Sequence, residues 1–396
     1  MQGWRSAVKS YKLYSSLPIG DSKKWAEINS SAIAKNREQL LSRVRESSPD
    51  VCDICVVKAD AYGHGVAHCV PPLARAGCRF FAVSCIEEAL ALRELLERER
   101  CDAEILILGY TAPEDAEALS KKNLTQCVFS YEYAAALDKA AKKKIKVHIK
   151  FDTGMNRIGI PAGASASLSA AADDAERVFN LSRLSVVGAF THFSRADEAS
   201  KEADEFTRGQ FDRFMKVISM LRERGCDPSF IHACNSAAAV RFPEFALDGV
   251  RLGLALYGCG APELGLEPVM SLYSQITHIH TLNPGEALGY GGTFKSDTPR
   301  LIATLPIGYA DGFLRSYSGA RVAVITENGE FSAPVVGRIC MDQCMIDISG
   351  IDAKVGNRVR IFGKTQKSLE ELARLAGTIN YESLCILSAR VPRILI

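Results

Sequence analysis

The sequence predicts an α/β fold in which a (β/α)₈ barrel of the TIM type is followed by a mostly β carboxyl-terminal domain. Between about residues 52 and 256, short apolar runs alternate with longer amphipathic segments, as they do in βα units around a parallel sheet. Eight such units within about 200 residues match the strand number of a closed barrel. After about residue 270, apolar runs follow one another with short turns in place of helices, which is typical of a β domain.

The eight predicted barrel strands can be placed in order along the chain. They cover residues 53–58, 79–84, 104–109, 125–129, 145–151, 185–192, 230–234 and 248–252. Between them, leucine, alanine and phenylalanine recur at three- and four-residue steps, which predicts helices at 86–100, 131–143 and 201–224. An open doubly wound sheet normally carries a G-x-G-x-x-G turn after its first strand, and the G-H-G at 63–65 does not match that pattern. A closed barrel is therefore the preferred interpretation.

The change in pattern divides the chain into three predicted parts. These are an amino-terminal extension at 1–24, the barrel at 25–268 and the β domain at 269–396. In the β domain, Asn328-Gly329 lies between two apolar runs and predicts a β-hairpin. No charged or low-complexity linker separates the barrel from the β domain, so we expect the two to pack closely.

The composition is typical of a globular protein that acts on small molecules. With 47% hydrophobic residues, 24% charged residues and a net charge of +2, the chain has no basic field to attract nucleic acid. No apolar run is long enough to span a membrane and the first residues lack a secretory signal, so we expect a cytoplasmic protein without membrane partners. The 13 cysteines are interpreted as mostly buried thiols, and neither Cys52/Cys55 nor Cys340/Cys344 is interpreted as a metal site.

Polar residues follow the predicted barrel strands where each strand ends. Active sites of (β/α)₈ enzymes form at the carboxyl ends of the strands, so these side chains are expected to meet. The loops after strands seven and eight often bind phosphate, and a lysine amine beside a phosphate site suggests pyridoxal 5'-phosphate as cofactor. The residues at these positions are Lys58, Lys150, Arg157, His192, Asn235, Ser236, Arg251, Gly253 and Leu254.

Lys58 is the candidate for the cofactor lysine. A lysine that is partly desolvated and lies among other cations has a lowered pKa and can condense with an aldehyde. Tyr62 could reach the same phosphate, and Gly63 and Gly65 allow a tight turn into the next helix. Taken singly, each site residue also has a structural explanation, as a solvated lysine, a buried histidine, an ion-paired arginine or, for Tyr290, a core aromatic. Their joint placement at one end of one barrel favours an active site.

Several longer segments of the sequence resemble the motifs of a known enzyme family. The sequence V-V-K-A-D-A-Y-G-H-G at 56–65 resembles the cofactor-lysine motif of the bacterial alanine racemases, which are fold type III pyridoxal-phosphate enzymes. The resemblance runs from about residue 25 to the carboxyl terminus and leaves the residues before it without an assigned function. It is carried by K-F-D-T-G-M-N-R-I-G, T-H-F, N-S-A-A, V-R-L-G-L-A-L-Y-G, L-G-Y-G-G-T-F, L-P-I-G-Y-A-D-G and V-G-R-I-C-M-D-Q-C-M-I-D.

The resemblance implies a role for each residue at the barrel mouth. Lys58 would carry the cofactor as a Schiff base, Arg157 would contact its phenolic oxygen and the substrate, and Lys150 matches a position that family members often carry as a carbamate. Arg251 would lie against the pyridine nitrogen, which an arginine cannot protonate, so the ring is a weaker electron sink and side reactions are suppressed. The remaining cofactor-binding residues implied are Tyr62, His192, Asn235, Ser236, Gly253 and Leu254.

The resemblance further implies a homodimer with shared active sites. Each barrel would receive Tyr290, Tyr309, Met341 and Asp342 from the β domain of its partner, with Met341 helping to bind the substrate carboxylate. Dimerisation would then be part of catalysis.

Racemisation requires two acid–base groups, because one proton leaves one face of Cα and another returns to the opposite face. The resemblance assigns these roles to Lys58 for D-alanine and Tyr290 for L-alanine. A free tyrosine has a pKa near about 10. Positive charge from His192 and Arg251 is expected to lower the pKa of Tyr290.

One position departs from the family pattern. Ala389 stands where a tyrosine is expected in a segment of the S-Y-R-V-P-R type, so it supplies no hydroxyl to the phosphate and leaves space near the substrate methyl group. The expected function is an alanine racemase that supplies D-alanine for peptidoglycan, and the alternative is a serine or broad-specificity amino-acid racemase. A non-catalytic cofactor carrier and a decarboxylase of the same fold type are disfavoured by L-G-Y-G-G-T-F and by Arg251, respectively.

Overall fold

The computed structural model describes residues 22–396, and its first sheet is a closed barrel of eight parallel strands. The first and last strands pair with each other, and the fourth pairs with the fifth, which closes the ring. The predicted (β/α)₈ barrel is therefore confirmed. Most of the predicted extension, residues 1–21, lies outside the described residues. In chain order the barrel strands are Cys52–Val56, Phe80–Val83, Glu104–Ile107, Thr125–Val128, Ile145–Asp152, Leu184–Phe190, Ile231–His232 and Gly249–Leu252.

Helices follow the barrel strands because the intervening segments carry an apolar stripe and begin with capping residues. Ser130, Ser167 and Ser200 each accept a hydrogen bond from a backbone amide of the helix that follows them. The helix predicted at 201–224 is observed at Lys201–Glu223. The other helices of this part are Ser30–Arg45, Val66–Arg75, Ile86–Arg98, Ala116–Lys121, Tyr131–Ala140, Leu168–Phe179 and Ser236–Arg241, and a short turn at Lys58–Tyr62 follows the first barrel strand.

The second sheet has nine strands and includes one from the amino-terminal side of the barrel. Lys24–Ile28 pairs antiparallel with Met270–Gln275 and parallel with Arg393–Leu395, so the start of the predicted barrel range belongs to the other sheet. Long-range pairing of this kind leaves no local pattern in the sequence. The remaining strands of the sheet are His278–Leu282, Arg300–Leu305, Arg321–Thr326, Gly329–Val336, Cys344–Asp347 and Arg358–Phe362.

The hairpin predicted at Asn328-Gly329 is present, with a shifted turn. Thr326 pairs with Gly329, so Glu327 and Asn328 form the two-residue loop. The β domain also contains the helices Gln366–Ala376 and Asn380–Cys385, which the sequence interpretation did not include. The second of these helices lies against the turn that follows the first barrel strand, and a Cβ at Gly63 in that turn would overlap the carbonyl oxygen of Leu384.

One hydrophobic core runs from the barrel into the second sheet, as the absence of a linker predicted. It includes Phe81 and Phe151 in the barrel and Val324 and Ile361 in the second sheet. All 13 cysteines are free thiols, with Cys55 and Cys344 buried and Cys52 and Cys340 half-buried. No helix within residues 22–396 is both long enough and apolar enough to cross a membrane.

Candidate active site

Lys58 lies where the first barrel strand gives way to an unusual turn. The strand ends at Val56, and the next four residues after Lys58, from Ala59 to Tyr62, all have left-handed backbone angles, with φ between 51° and 57°. Such angles cost about 1–2 kcal/mol for each non-glycine residue. Asp60 helps to hold the turn, because its Oδ1 accepts a 2.7 Å hydrogen bond from the amide of Val66. Backbone strain of this kind is often found at functional sites.

The surroundings of Lys58 lower the pKa of its amine. Burial and the nearby charge of Arg157 lower the pKa of the Lys58 amine, while Glu88 and Cys385 oppose them. The neutral form is the one that attacks an aldehyde. The structure therefore gives Lys58 the property that the sequence predicted for it.

The hydroxyls of Tyr62 and Ser236 both lie close to Gly253. The amide of Gly253 donates a 2.8 Å hydrogen bond to Ser236 Oγ, and the hydroxyl of Tyr62 lies only 2.7 Å from the point that a Cβ on Gly253 would occupy. Burial raises the pKa of Tyr62, so its hydroxyl stays protonated and can donate. Leu254 begins the short 3₁₀ helix that follows. Two hydroxyls and a backbone N–H around a space that only glycine leaves open are suited to a phosphate group.

Asn235 has a structural role in this region. Its Oδ1 accepts a hydrogen bond from the amide of Ala238, which caps the helix Ser236–Arg241, and its Nδ2 donates to the carbonyl of Phe193. These bonds connect the loops after two neighbouring strands and place Ser236. A direct contact of Asn235 with the cofactor stays a prediction.

Arg251 is buried and surrounded by acceptors. Its guanidinium donates to the carbonyls of Thr191 and Ala233 and to Nδ1 of both His232 (2.7 Å) and His192 (3.2 Å). Burial lowers the pKa of Arg251 to about 10, so it is a cation at neutral pH. An arginine has no acceptor, which requires both histidines to present an unprotonated Nδ1 to it.

His192 is neutral in this arrangement. Burial and the charges of Arg251, Arg157, Lys150 and Lys58 hold the pKa of His192 well below its usual value. The expectation that His192 adds positive charge near the second base is therefore wrong. Arg251 is the group that carries the positive charge. Its guanidinium donates a hydrogen bond to His192 Nδ1, so that nitrogen stays unprotonated.

Lys150 and Arg157 lie at the same mouth of the barrel. Lys150 is almost completely buried, and desolvation lowers the pKa of its amine to about 8. Within residues 22–396, no carboxylate forms an ion pair with Lys150 or Arg157. The loop that carries Arg157 is shaped by Asp152, whose carboxylate accepts hydrogen bonds of 2.9–3.1 Å from the amides of the four residues 154–157.

The four residues expected to serve a partner's site lie on the β domain. The loops of Tyr309 and Met341 are joined by hydrogen bonds from the amides of Tyr309 and Ala310 to the carbonyls of Cys340 and Met341. Tyr290 lies on a glycine-rich turn between two short strands. The exposed fractions are large for such residues: 70% for Tyr290, 42% for Tyr309 and 53% for Met341. Asp342 accepts a 2.7 Å hydrogen bond from Arg390.

The segment that contains Ala389 is fixed beside the Lys58 turn. The Arg393 guanidinium donates to the carbonyl of Gly63 at 3.0 Å and to those of Leu387 and Ser388 at 2.8 and 2.7 Å. Ala389 itself is exposed in a turn. The departure from the family pattern thus lies next to the candidate active site.

Three further residues support the site and were not identified from the sequence. His232 accepts from Arg251, Asp152 shapes the Arg157 loop, and Glu88 bonds to the amide of Ala59. The position of His232 in the seventh predicted strand was the only available signal, because its side chain alternates into the barrel. Asp152 and Glu88 act through backbone amides, which have no sequence signature at these separations.

Comparisons with known proteins agree with this geometry. The chain matches the family described as "Alanine racemase, N-terminal domain" over residues 28–261 and the one described as "Alanine racemase, C-terminal domain" over residues 269–395. It is 41% identical over 391 residues to an alanine racemase of Clostridium tetani, covering 94% of this chain and 95% of that protein.

Solved structures give the same result. An alanine racemase of Clostridium difficile superposes with a TM-score of 0.84 at 36% identity, covering 94% of this chain and 96% of the other. An alanine racemase of Bacillus anthracis with bound L-Ala-P also has a TM-score of 0.84, at 34% identity and 96% coverage of both chains. With both halves of the chain matched in sequence and in fold, the protein belongs to the alanine racemase family.

Proposed function

We propose that this protein interconverts L-alanine and D-alanine with pyridoxal phosphate attached to Lys58. The observation that carries the proposal is a lysine with a lowered pKa after the first barrel strand, together with the hydroxyls of Tyr62 and Ser236 clustered at Gly253. The lysine would supply the amine that binds an aldehyde, and the two hydroxyls are suited to donate to a phosphate. Family membership points to the same activity.

Different residues would bind the phosphate and the pyridine ring of the cofactor. Tyr62, Ser236 and the amides of Gly253 and Leu254 would hold the phosphate. Arg251 would face the pyridine nitrogen, and because its guanidinium keeps its protons, that nitrogen stays unprotonated. When bound, the cofactor acidifies the Cα proton of the amino acid by delocalising the negative charge left behind. An unprotonated ring delocalises less charge, which limits side reactions.

Two groups would move the proton. The amine of Lys58 would accept or return the proton on the face used by D-alanine. Tyr290 of the partner subunit does so on the face used by L-alanine. A phenol needs nearby positive charge to act as a base at neutral pH. Arg251 is suited to supply this charge, because it is buried and is a cation at neutral pH, whereas the pKa of His192 is held well below its usual value.

Lys150 is suited to carry a carbamate. With a pKa of about 8, part of the amine is neutral under cellular conditions and can attack carbon dioxide, forming the N–C bond as the nitrogen loses a proton. The resulting anion would pair with Arg157, for which residues 22–396 supply no carboxylate partner, and would orient its guanidinium. This modification supports positioning and takes no part in proton transfer.

A homodimer completes the site. The large exposed fractions of Tyr290, Tyr309 and Met341 leave apolar and phenolic surface without intramolecular cover. In the dimer these side chains would enter the barrel mouth of the partner, where Met341 and Asp342 help to bind substrate. A supply of D-alanine for peptidoglycan and a cytoplasmic location stay predictions.

The test is a measurement on the purified full-length protein. We expect visible absorption from bound pyridoxal phosphate, a borohydride-reduced adduct on Lys58 in peptide mass spectra, and loss of optical rotation from L-alanine. The Lys58→Ala variant should lose all three. Absence of the adduct from wild-type protein that racemises alanine would show that another residue carries the cofactor.

A further inference from the structure

Glu88 connects two segments that end at the candidate active site. It lies in the first turn of the helix Ile86–Arg98, and its two carboxylate oxygens serve different backbone amides. One oxygen accepts a 2.7 Å hydrogen bond from Ala59, the residue after Lys58. The other accepts a 2.8 Å hydrogen bond from Ser84, which follows the second barrel strand. The carboxylate thus ties the Lys58 turn to the carboxyl end of the neighbouring strand.

The bond to Ala59 falls at the start of the strained turn. Ala59 is the first of the four residues with left-handed backbone angles, so its amide does not point along a right-handed helix. A carboxylate is a strong acceptor for such an amide, since hydrogen bonds to a charged group are about twice as strong as neutral ones. Asp60 secures the far end of the turn through the amide of Val66. The turn is therefore fixed by one carboxylate at each end.

Glu88 also affects the proton on Lys58. The titratable groups that face Lys58 are Arg157, Glu88, Cys385 and His192. Burial and Arg157 lower the pKa of Lys58, and the negative charge of Glu88 opposes them. Loss of that charge would therefore lower the pKa of Lys58 further.

We propose that Glu88 is a positioning residue for Lys58, because its carboxylate fixes the start of the left-handed turn from which the amine reaches the cofactor. This inference rests on the proposed role of Lys58 as the cofactor lysine. It does not place Glu88 in contact with cofactor or substrate. Its effect passes through the Ala59 amide and through charge.

The experiment compares Glu88→Gln with Glu87→Gln, a matched control on the same helix that removes the same charge from an exposed neighbour. In full-length protein stripped of cofactor, the rate of pyridoxal phosphate binding is followed by visible absorption as a function of pH. For Glu88→Gln we expect the plateau rate to fall by about tenfold, because one strong hydrogen bond is lost. We also expect the midpoint of the pH profile to move to lower pH.

The midpoint of the pH profile distinguishes a specific effect of Glu88 on Lys58 from a general loss of stability. A damaged fold would lower the plateau rate of cofactor binding without moving that midpoint to lower pH. Glu88→Asp keeps the charge on a shorter side chain, so it should restore the midpoint while the plateau stays low, and it carries the test if Glu88→Gln does not fold. The inference is overturned if Glu88→Gln matches Glu87→Gln in both quantities. Failure of wild-type protein to form the Lys58 adduct would overturn the proposed function and this inference together.

Discussion

At the scale of single residues, Arg251 determines the electrostatics of the site. All of its described hydrogen-bond partners are neutral acceptors, three carbonyl oxygens and two imidazole nitrogens, so none of them offers it a negative charge. Burial, together with the charge of this guanidinium, holds the pKa of both His192 and His232 well below its usual value. A pyridine nitrogen placed against Arg251 would face a guanidinium that keeps its protons at neutral pH, so the nitrogen would stay unprotonated.

The two-base assignment predicts that substitution of Tyr290 acts differently in the two directions. In Tyr290→Phe, exchange of the Cα proton of L-alanine should fall by about 10²–10⁴-fold, because a general acid–base group is lost. Exchange starting from D-alanine should fall less, since Lys58 is intact. The measurement is the initial rate of deuterium incorporation from each enantiomer in deuterated solvent. Equal losses in both directions would contradict the assignment.

Ala389 predicts a broader substrate range. The segment around it is held beside the Lys58 turn by Arg393, so a larger side chain at 389 would occupy space next to the site. Wild-type protein should therefore turn over serine, and Ala389→Tyr should reduce serine turnover relative to alanine. A change of about 10-fold is expected, since differences of one small group in a pocket have effects of this order. Undetectable serine turnover together with an unchanged Ala389→Tyr variant would rule this out.

The sequence predicted those site residues whose position follows from the strand-end rule. Lys58, Arg251 and Ser236 were placed correctly because the carboxyl ends of barrel strands lie together. Glu88 and Asp152 were not predicted, since their partners are backbone amides whose orientation depends on the folded loops. The positive charge expected on His192 was also wrong, because burial and the neighbouring cations, which depend on the folded barrel, hold its pKa well below its usual value.

At the scale of elements, the turn from Lys58 to Gly63 is the part of the site that local propensity does not predict. Alanine, aspartate and tyrosine are expected to continue a right-handed helix or a strand, and their left-handed angles here are held by tertiary contacts. The turn ends at Gly63, which has a φ of 80° and lies directly against the backbone of Leu384. The helix Asn380–Cys385 of the β domain thus supports the turn that begins at Lys58 of the same chain.

Gly63→Ala should destabilise this support. A Cβ at this position would overlap the Leu384 carbonyl and would also impose a left-handed angle on alanine, for a combined cost of about 2–4 kcal/mol. We expect a lower midpoint of urea unfolding and weaker retention of pyridoxal phosphate.

Gly77→Ala is the matched control, because Gly77 has a φ of 95° and no neighbour within 4 Å of an added Cβ. It should show only the conformational part of the cost and normal cofactor retention. If both variants lost stability and cofactor equally, the contact with Leu384 would have no role.

Element positions were predictable where the pattern is local. All eight barrel strands lie within a few residues of their predicted limits, because each is a short apolar run between amphipathic helices. The strand Lys24–Ile28 and its pairing with the carboxyl-terminal strand were not predictable, since the partners are more than 300 residues apart in sequence. The helices Gln366–Ala376 and Asn380–Cys385 were missed because β patterns dominate their surroundings.

At the scale of the whole molecule, the proposed dimer treats the barrel and the β domain of one chain as parts of two different active sites. The barrel presents Lys58 and the candidate phosphate site, while the β domain presents Tyr290, Tyr309 and Met341 on its surface. A symmetric dimer brings each part to its complement, because a two-fold axis that places one chain's β domain over the partner's barrel does the reverse at the same time. Activity should therefore depend on association.

Mixing two inactive variants tests this central claim most directly. Lys58→Ala lacks the cofactor lysine and Tyr290→Ala lacks the second base, so neither homodimer should racemise alanine. If the active sites are shared, subunit exchange gives mixed dimers in which one of the two sites contains both Lys58 and Tyr290, and activity should rise to about a quarter of the wild-type value. If each chain supplied both bases to its own site, the mixture would stay inactive, and the account of a site built from two chains would be contradicted.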